Sequence, residues 1–231
     1  PRFSGVQINW GVGRYLGDPS EFGETPSTAY QVLVPITNDR AAVEAAINNW
    51  FASGGGDTPE ANFFAMQQAA TQGQGVPRNG GSATSQATGW RDGAARVVLV
   101  FGDAPSHQET VNEREVRDVL ADERVKSSFI DTSDLNGGSN LDRFDATAGI
   151  QQFGSAMEIA DGSGGAYVRL ADVNRVVEAI LDAVFDAIAD NTRTGGQLTR
   201  LDGARSWRSR TPSSVTASTP DSGNTFVFTL R

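Results

Sequence analysis

The run Arg96-Val97-Val98-Leu99-Val100-Phe101-Gly102-Asp103 constrains this chain more than any other stretch. It is apolar without alternation and too short for a buried helix. That is the pattern of a strand covered on both faces, as in a parallel sheet. Asp103 emerges at its carboxyl end, where open α/β sheets place their ligand sites. Strand-like and helix-like segments alternate on either side of it. The expected fold is therefore α/β: a doubly wound, mostly parallel sheet with helices on both faces.

Phe3 to Gly13 alternates apolar and polar residues and reads as a strand. Tyr30 to Ile36 is the next strand, and Pro35 assigns it to an edge, because proline cannot donate to a second neighbour. Thr37 or Asn38 can cap a helix over Asp39 to Phe51. After Gly54-Gly55-Gly56-Asp57, Thr58 reads as an N-cap, with Pro59 at the first helical position and Glu60 in the first turn of a helix to Thr71. Gly73 to Gly89 is a long polar loop, expected to be mobile. Trp90 packs its base. Helices are expected over Val111 to Arg124, Ala146 to Asp161 and Val173 to Asp190, the last capped by Asp172. Short strands fall at Val125 to Asp131 and Ala166 to Leu170.

Gly-Gly-Asp-Thr-Pro-Glu (55–60), a helix, Gly89-Trp90-Arg91, the apolar strand and Asp103-Ala104-Pro105-Ser106-His107 follow in that order. This order resembles a von Willebrand factor A domain, closest to the I-like domain of integrin β chains and to bacterial relatives, over residues 3 to 190. The resemblance implies a metal-ion-dependent adhesion site holding Mg²⁺ or Ca²⁺, with Asp57, Thr58, Glu60 and Asp103 as its ligands here. Carboxylates and hydroxyls at strand ends suit such hard cations. Read alone, Thr58-Pro59-Glu60 is also an ordinary helix start, and Asp103 an ordinary acid at a strand end.

The family's first strand, which ends in Asp-x-Ser-x-Ser, is missing from this position. The chain opens on what reads as the second strand. Asp131-Thr132-Ser133-Asp134 is the nearest match, but it follows a later strand and carries Leu135 where the second Ser should stand. It reads as a strand end. In the family the first strand lies mid-sheet, in an order like 3-2-1-4-5-6. Without it, two strands expose unpaired backbone groups. The expected occupant is a segment outside these residues, either a cleaved N-terminal piece or a neighbouring subunit. The alternatives are the C-terminal run Thr225 to Leu230, or a sheet rearranged to close the gap.

Residues 191–231 are rich in Ser, Thr, Arg and Gly and read as a C-terminal arm ending in a strand, appended to a domain at 1–190. Trp207 with Arg205, Arg208 and Arg210 makes either a partner-binding patch or a solvated linker around one buried aromatic. The net charge of −9 argues against nucleic acid and anionic membrane as partners. The chain has no Cys, which excludes thiolate chemistry. No apolar run reaches the ~18 residues of a membrane span. His107 is the only histidine and reads as a hydrogen-bonded loop residue. These features, with the resemblance, lead us to expect a noncatalytic protein-binding or assembly module outside the cytoplasm. The alternatives are a purely structural subunit without metal, and a metal-assisted hydrolase using Asp57, Glu60 and Asp103.

Overall fold

The structure, a computed structural model, describes residues 7–20, 24–50, 56–136, 140–142, 156–193 and 224–230; for residues 186–193 and 224–230 it describes the backbone only. The chain is mixed α/β. At its centre is strand β3 (Ala95–Gly102), whose residues Val97 to Val100 are fully buried. The pleat sends its apolar side chains to both sides. Val97, Leu99 and Phe101 join Ala179, Ala183 and Val184 of helix α7 (Val176–Arg193). Val98 and Val100 join a larger cluster. That cluster includes Phe63, Phe64 and Met66 of α3 (Asn62–Ala70), Val116 and Leu120 of α4 (Glu113–Asp122), and Ile159 of α6 (Ala156–Ser163). The unbroken apolar run is thus explained by helices against both of its faces.

Strand β4 (Val125–Asp131) lies parallel to β3, from Arg96 opposite Val125 to Gly102 opposite Asp131, and β5 (Tyr167–Arg169) lies parallel beyond it. On the other side, β1 (Ile8–Tyr15) pairs antiparallel with β2 (Tyr30–Thr37), which forms the edge, as Pro35 requires. Two short helices, α1 (Pro26–Ala29) and α5 (Ser133–Asn136), complete the set with α2 (Arg40–Asn48). Val43 and Ala46 of α2 pack on Val12.

The space between β1 and β3 is filled by β6 (Asn224–Leu230), parallel to both. The strand order is β2-β1-β6-β3-β4-β5. Our expectation of an outside segment is corrected: the C-terminal run is the occupant. It pairs with Ile8 to Arg14 on one side and Ala95 to Phe101 on the other, so each exposed ladder receives a full-length partner. The terminal strand of the expected arm is accordingly the third strand of the sheet.

Three local expectations also change. The cap of α2 is Asp39, which accepts the Ala42 N–H at 3.1 Å, rather than Thr37 or Asn38. Helix α3 begins at Asn62, not after Thr58, because Glu60 is held extended in a bridge to Ser106. The 73–89 segment is tied down rather than loose. Buried Gln68 donates to Gly75 O and accepts from Thr84 N, and Gln86 bonds Tyr30 O and Val32 N. Trp90 is buried as expected, its Nε1 donating to Ala69 O at 2.8 Å. The first half of the helix expected over Ala146 to Asp161 lies outside the described residues; its end is α6.

Candidate functional site

Strands β1, β6, β3 and β4 run parallel, so their carboxyl ends share one side of the sheet. From β1 the chain turns outward to β2, and from β3 outward the other way to β4 and β5. The strand order therefore reverses around β6, and the crevice at such a reversal is where open α/β sheets bind ligands.

Three loops meet there. The 56–61 segment lies along the segment that follows β3: Glu60 N donates to Pro105 O at 2.9 Å and His107 N donates to Glu60 O at 2.8 Å. Ser106 Oγ accepts the Phe63 N–H at 3.0 Å and so holds the first turn of α3. Ala61 N donates to Leu16 O at 2.7 Å, which ties the same segment to the loop after β1. Tyr15 at the end of β1 donates its hydroxyl to Phe101 O at 2.7 Å and lies against Gly102. A Cβ on Gly102 would come within 2.5 Å of the Tyr15 hydroxyl oxygen, so a larger residue there would have to displace the buried Tyr15 side chain.

The sequence-predicted residues fall as follows. Asp57 Oδ1 accepts from His107 Nε2 at 3.1 Å, and 32% of its side chain remains exposed. Glu60 is buried beneath the bridge. Asp103 follows β3 directly, and its carbonyl accepts the Asn140 N–H at 3.0 Å. Thr58 lies in the same loop as Asp57. Trp207, Arg205, Arg208 and Arg210 lie outside the described residues.

His107 is buried, with Nε2 toward Asp57 and Nδ1 toward Glu109 at 3.3 Å. Burial alone pulls its pKa down. The bond to Asp57 and the negative charges of Asp57, Glu109 and Asp18 outweigh that and raise it above the ordinary value. The ring is thus a hydrogen-bonded loop residue among acids, the role expected for it.

Sequence reasoning missed several residues of this cluster. Asp18 is buried and accepts from Ser20 N at 2.9 Å, Ser20 Oγ at 2.6 Å and Thr110 Oγ1. Asp18 precedes Pro19, a pairing typical of turns, and nothing local announces a partner so distant in sequence. Asn62 is fully buried, and neither its Nδ2 nor its Oδ1 meets a hydrogen-bond partner among the described residues. Leaving such groups unpaired costs about 1–3 kcal/mol, which makes Asn62 conspicuous.

Among the described residues, no group of three or more His, Asp or Glu is gathered closely enough to hold a metal ion. Asp57 is engaged by His107 instead.

The Asp131-Thr132-Ser133-Asp134 stretch is a strand end, as read from the sequence. Asp131 closes β4 and is fully buried. It accepts from Ser133 N at 2.9 Å and Tyr167 Oη at 2.6 Å, with Arg169 Nε at 4.0 Å. Burial, and then the bond to Asp131, push the Tyr167 phenol strongly upward, which keeps it a donor.

No protein-family model matches the chain, and no curated protein matches it. Among solved structures, one described as an uncharacterized membrane spanning protein from Vibrio fischeri is similar at 14% identity, over 66% of this chain and 68% of that one, with a TM-score of 0.29. A likeness at that level carries no argument here. Among the described residues no helix is long and apolar enough to cross a membrane.

Proposed function

We propose that this chain is a noncatalytic protein-binding or assembly module of the von Willebrand A type, working within a larger extracytoplasmic complex. The observation that carries the reading is the strand order. With β2 antiparallel at the edge and β6 between β1 and β3, it is the order the resemblance leads one to expect, with β6 in the slot of the missing first strand. The bridge between Glu60 and Ser106 supports it further, since it lays the two motif loops side by side. A binding role fits the chemistry better than a catalytic one. Both ring nitrogens of His107 face carboxylates rather than a nucleophile to be activated.

In this reading Asp57, Thr58, Glu60 and Asp103 form a partial adhesion site for Mg²⁺ or Ca²⁺. The test is the melting temperature of the chain against added MgCl₂ or CaCl₂. An ion at ten times its Kd stabilises by about 1.4 kcal/mol. That gain should disappear in the double variant Asp57→Ala/Asp103→Ala. No gain in the parent chain would leave the metal-free structural subunit as the function. An equal gain in the variant would place the ion elsewhere.

A further inference from the structure

The last strand of the chain is inserted into the middle of its sheet, and this has a consequence for how copies of the chain meet. Until β6 arrives, β1 and β3 flank an open slot. Each offers a seven-residue ladder, Ile8 to Arg14 and Ala95 to Phe101. Any extended segment with the right pattern can enter such a slot by main-chain pairing.

The segment that fits it is one this chain already carries. We propose that β6 is exchangeable between copies, so that the β6 strand of one molecule completes the sheet of another and links the module into homo-oligomers. Three observations converge on a second copy of this chain as the partner.

The first is register. Asn224 to Leu230 matches both ladders residue for residue without a bulge, so a β6 from another copy recovers every pairing the intramolecular strand makes. The second is the tether. Helix α7 ends at Arg193 and β6 begins at Asn224. A helix-to-strand connection in an α/β unit needs only about 2–6 residues. The roughly 30 residues present, rich in Gly, Ser and Thr, are several times that length. The third is charge. Residues 191–231 hold six Arg and two Asp in a chain of net charge −9, so the excess acid lies entirely in residues 1–190. A basic arm is thereby complementary to the acidic body of a neighbour. This rests on strand order and composition, and needs no cation.

The covalent connection holds β6 near its own slot at an effective concentration on the order of mM. Closure within one molecule therefore wins at low concentration, and exchange rises when chains fold together at high concentration.

The absence of native Cys makes the test direct. Val98 and Val227 are partners across the β3–β6 ladder, as are Val12 and Phe228 across β1–β6. Full-length Val98→Cys and Val227→Cys chains, differently tagged, are mixed, unfolded, refolded together at dilute and at near-mM concentration, and then oxidised. A Val98→Cys/Val227→Cys chain serves as the reference for closure within one molecule. The expected result is a mixed-tag disulfide dimer whose yield rises several-fold with refolding concentration. The Val12→Cys and Phe228→Cys pair should behave alike, and covers the case in which a Val98 variant fails to fold. A reference chain that closes while mixed-tag dimers stay absent at every concentration overturns exchange. A reference chain that folds but does not close overturns the placement of β6, and the proposal with it.

Discussion

Asp131 and Asp57 stand at the same end of the sheet, yet their surroundings differ in kind. Asp131 is fully buried and ringed by donors from its own strand end and the next strand: Ser133 N–H, the Tyr167 hydroxyl and Arg169. Asp57 sits in a loop with a third of its side chain in solvent and a single histidine beside it. The first carboxylate is consumed by structure, since burying a charge is tolerable only when its lone pairs are occupied. The second keeps a face that a ligand can reach. Both are acids at the carboxyl end of the sheet, so position alone does not tell a part-exposed acid from a structural one; the number of fixed donors does.

The sharpest way to break this comparison is Asp131→Ala. It strips the Ser133 N–H of its acceptor and Tyr167 Oη of the nearer of two, in a closed site, and should cost about 3 kcal/mol in urea unfolding. A loss below about 1 kcal/mol would mean that Asp131 is not the structural carboxylate described. Tyr167→Phe removes one donor and leaves the carboxylate with the others, so about 1–2 kcal/mol is expected from the same measurement.

How far the sequence disclosed these two acids follows from the range of the interactions. The β3 strand, the β4 strand and the Pro35 edge were legible because local patterning reports burial and hydrogen-bonding geometry directly. Asp131 was legible as a strand end because Leu135 breaks the metal motif. The start of α3 was misread because Thr58-Pro59-Glu60 is good helix-start chemistry, while the bonds that hold Glu60 extended come from Pro105 and His107, across a long stretch of chain. The tie from Asp18 to the segment after β3 was invisible for the same reason, since the partner there is Thr110. The slot between β1 and β3 was legible as a gap, but its occupant was misjudged. Strand chemistry at Thr225 to Leu230 says that a strand forms, not which ladder it joins.

The Asp57 side of the comparison is sharpened by pH. The folded-state pKa of His107 lies above its unfolded value of about 6.5. Its charged ring therefore stabilises the fold fully below about pH 6.5, and that contribution is lost as pH rises through the raised folded value. His107→Gln should flatten this part of the pH dependence, and near pH 6 should cost on the order of 1 kcal/mol as the charged bonds are lost. Unfolding measured at pH 5.5 and 8.5 on both chains checks it. An identical pH dependence in the variant would assign the titration to other groups.

The smallest effect on stability, and the most informative about Asp57 itself, comes from Asp57→Asn. The amide preserves size and can still bond His107 Nε2, so unfolding should change by well under 1 kcal/mol, as expected for a partly exposed ion pair. What the substitution removes is charge. Two influences of Asp57 raise the histidine, the bond and the coulombic field, while Glu109 and Asp18 act at the same ring. With the Asp57 charge gone, burial regains ground and the His107 pKa should fall toward or below the ordinary value. NMR titration of the single histidine reads this without assignment ambiguity, because no other imidazole is present. A large loss of stability with no movement of the titration would make Asp57 a structural acid like Asp131. A fall in pKa at nearly constant stability would set the two carboxylates apart, Asp131 as the acid that holds the fold and Asp57 as the one that sets the charge of its histidine.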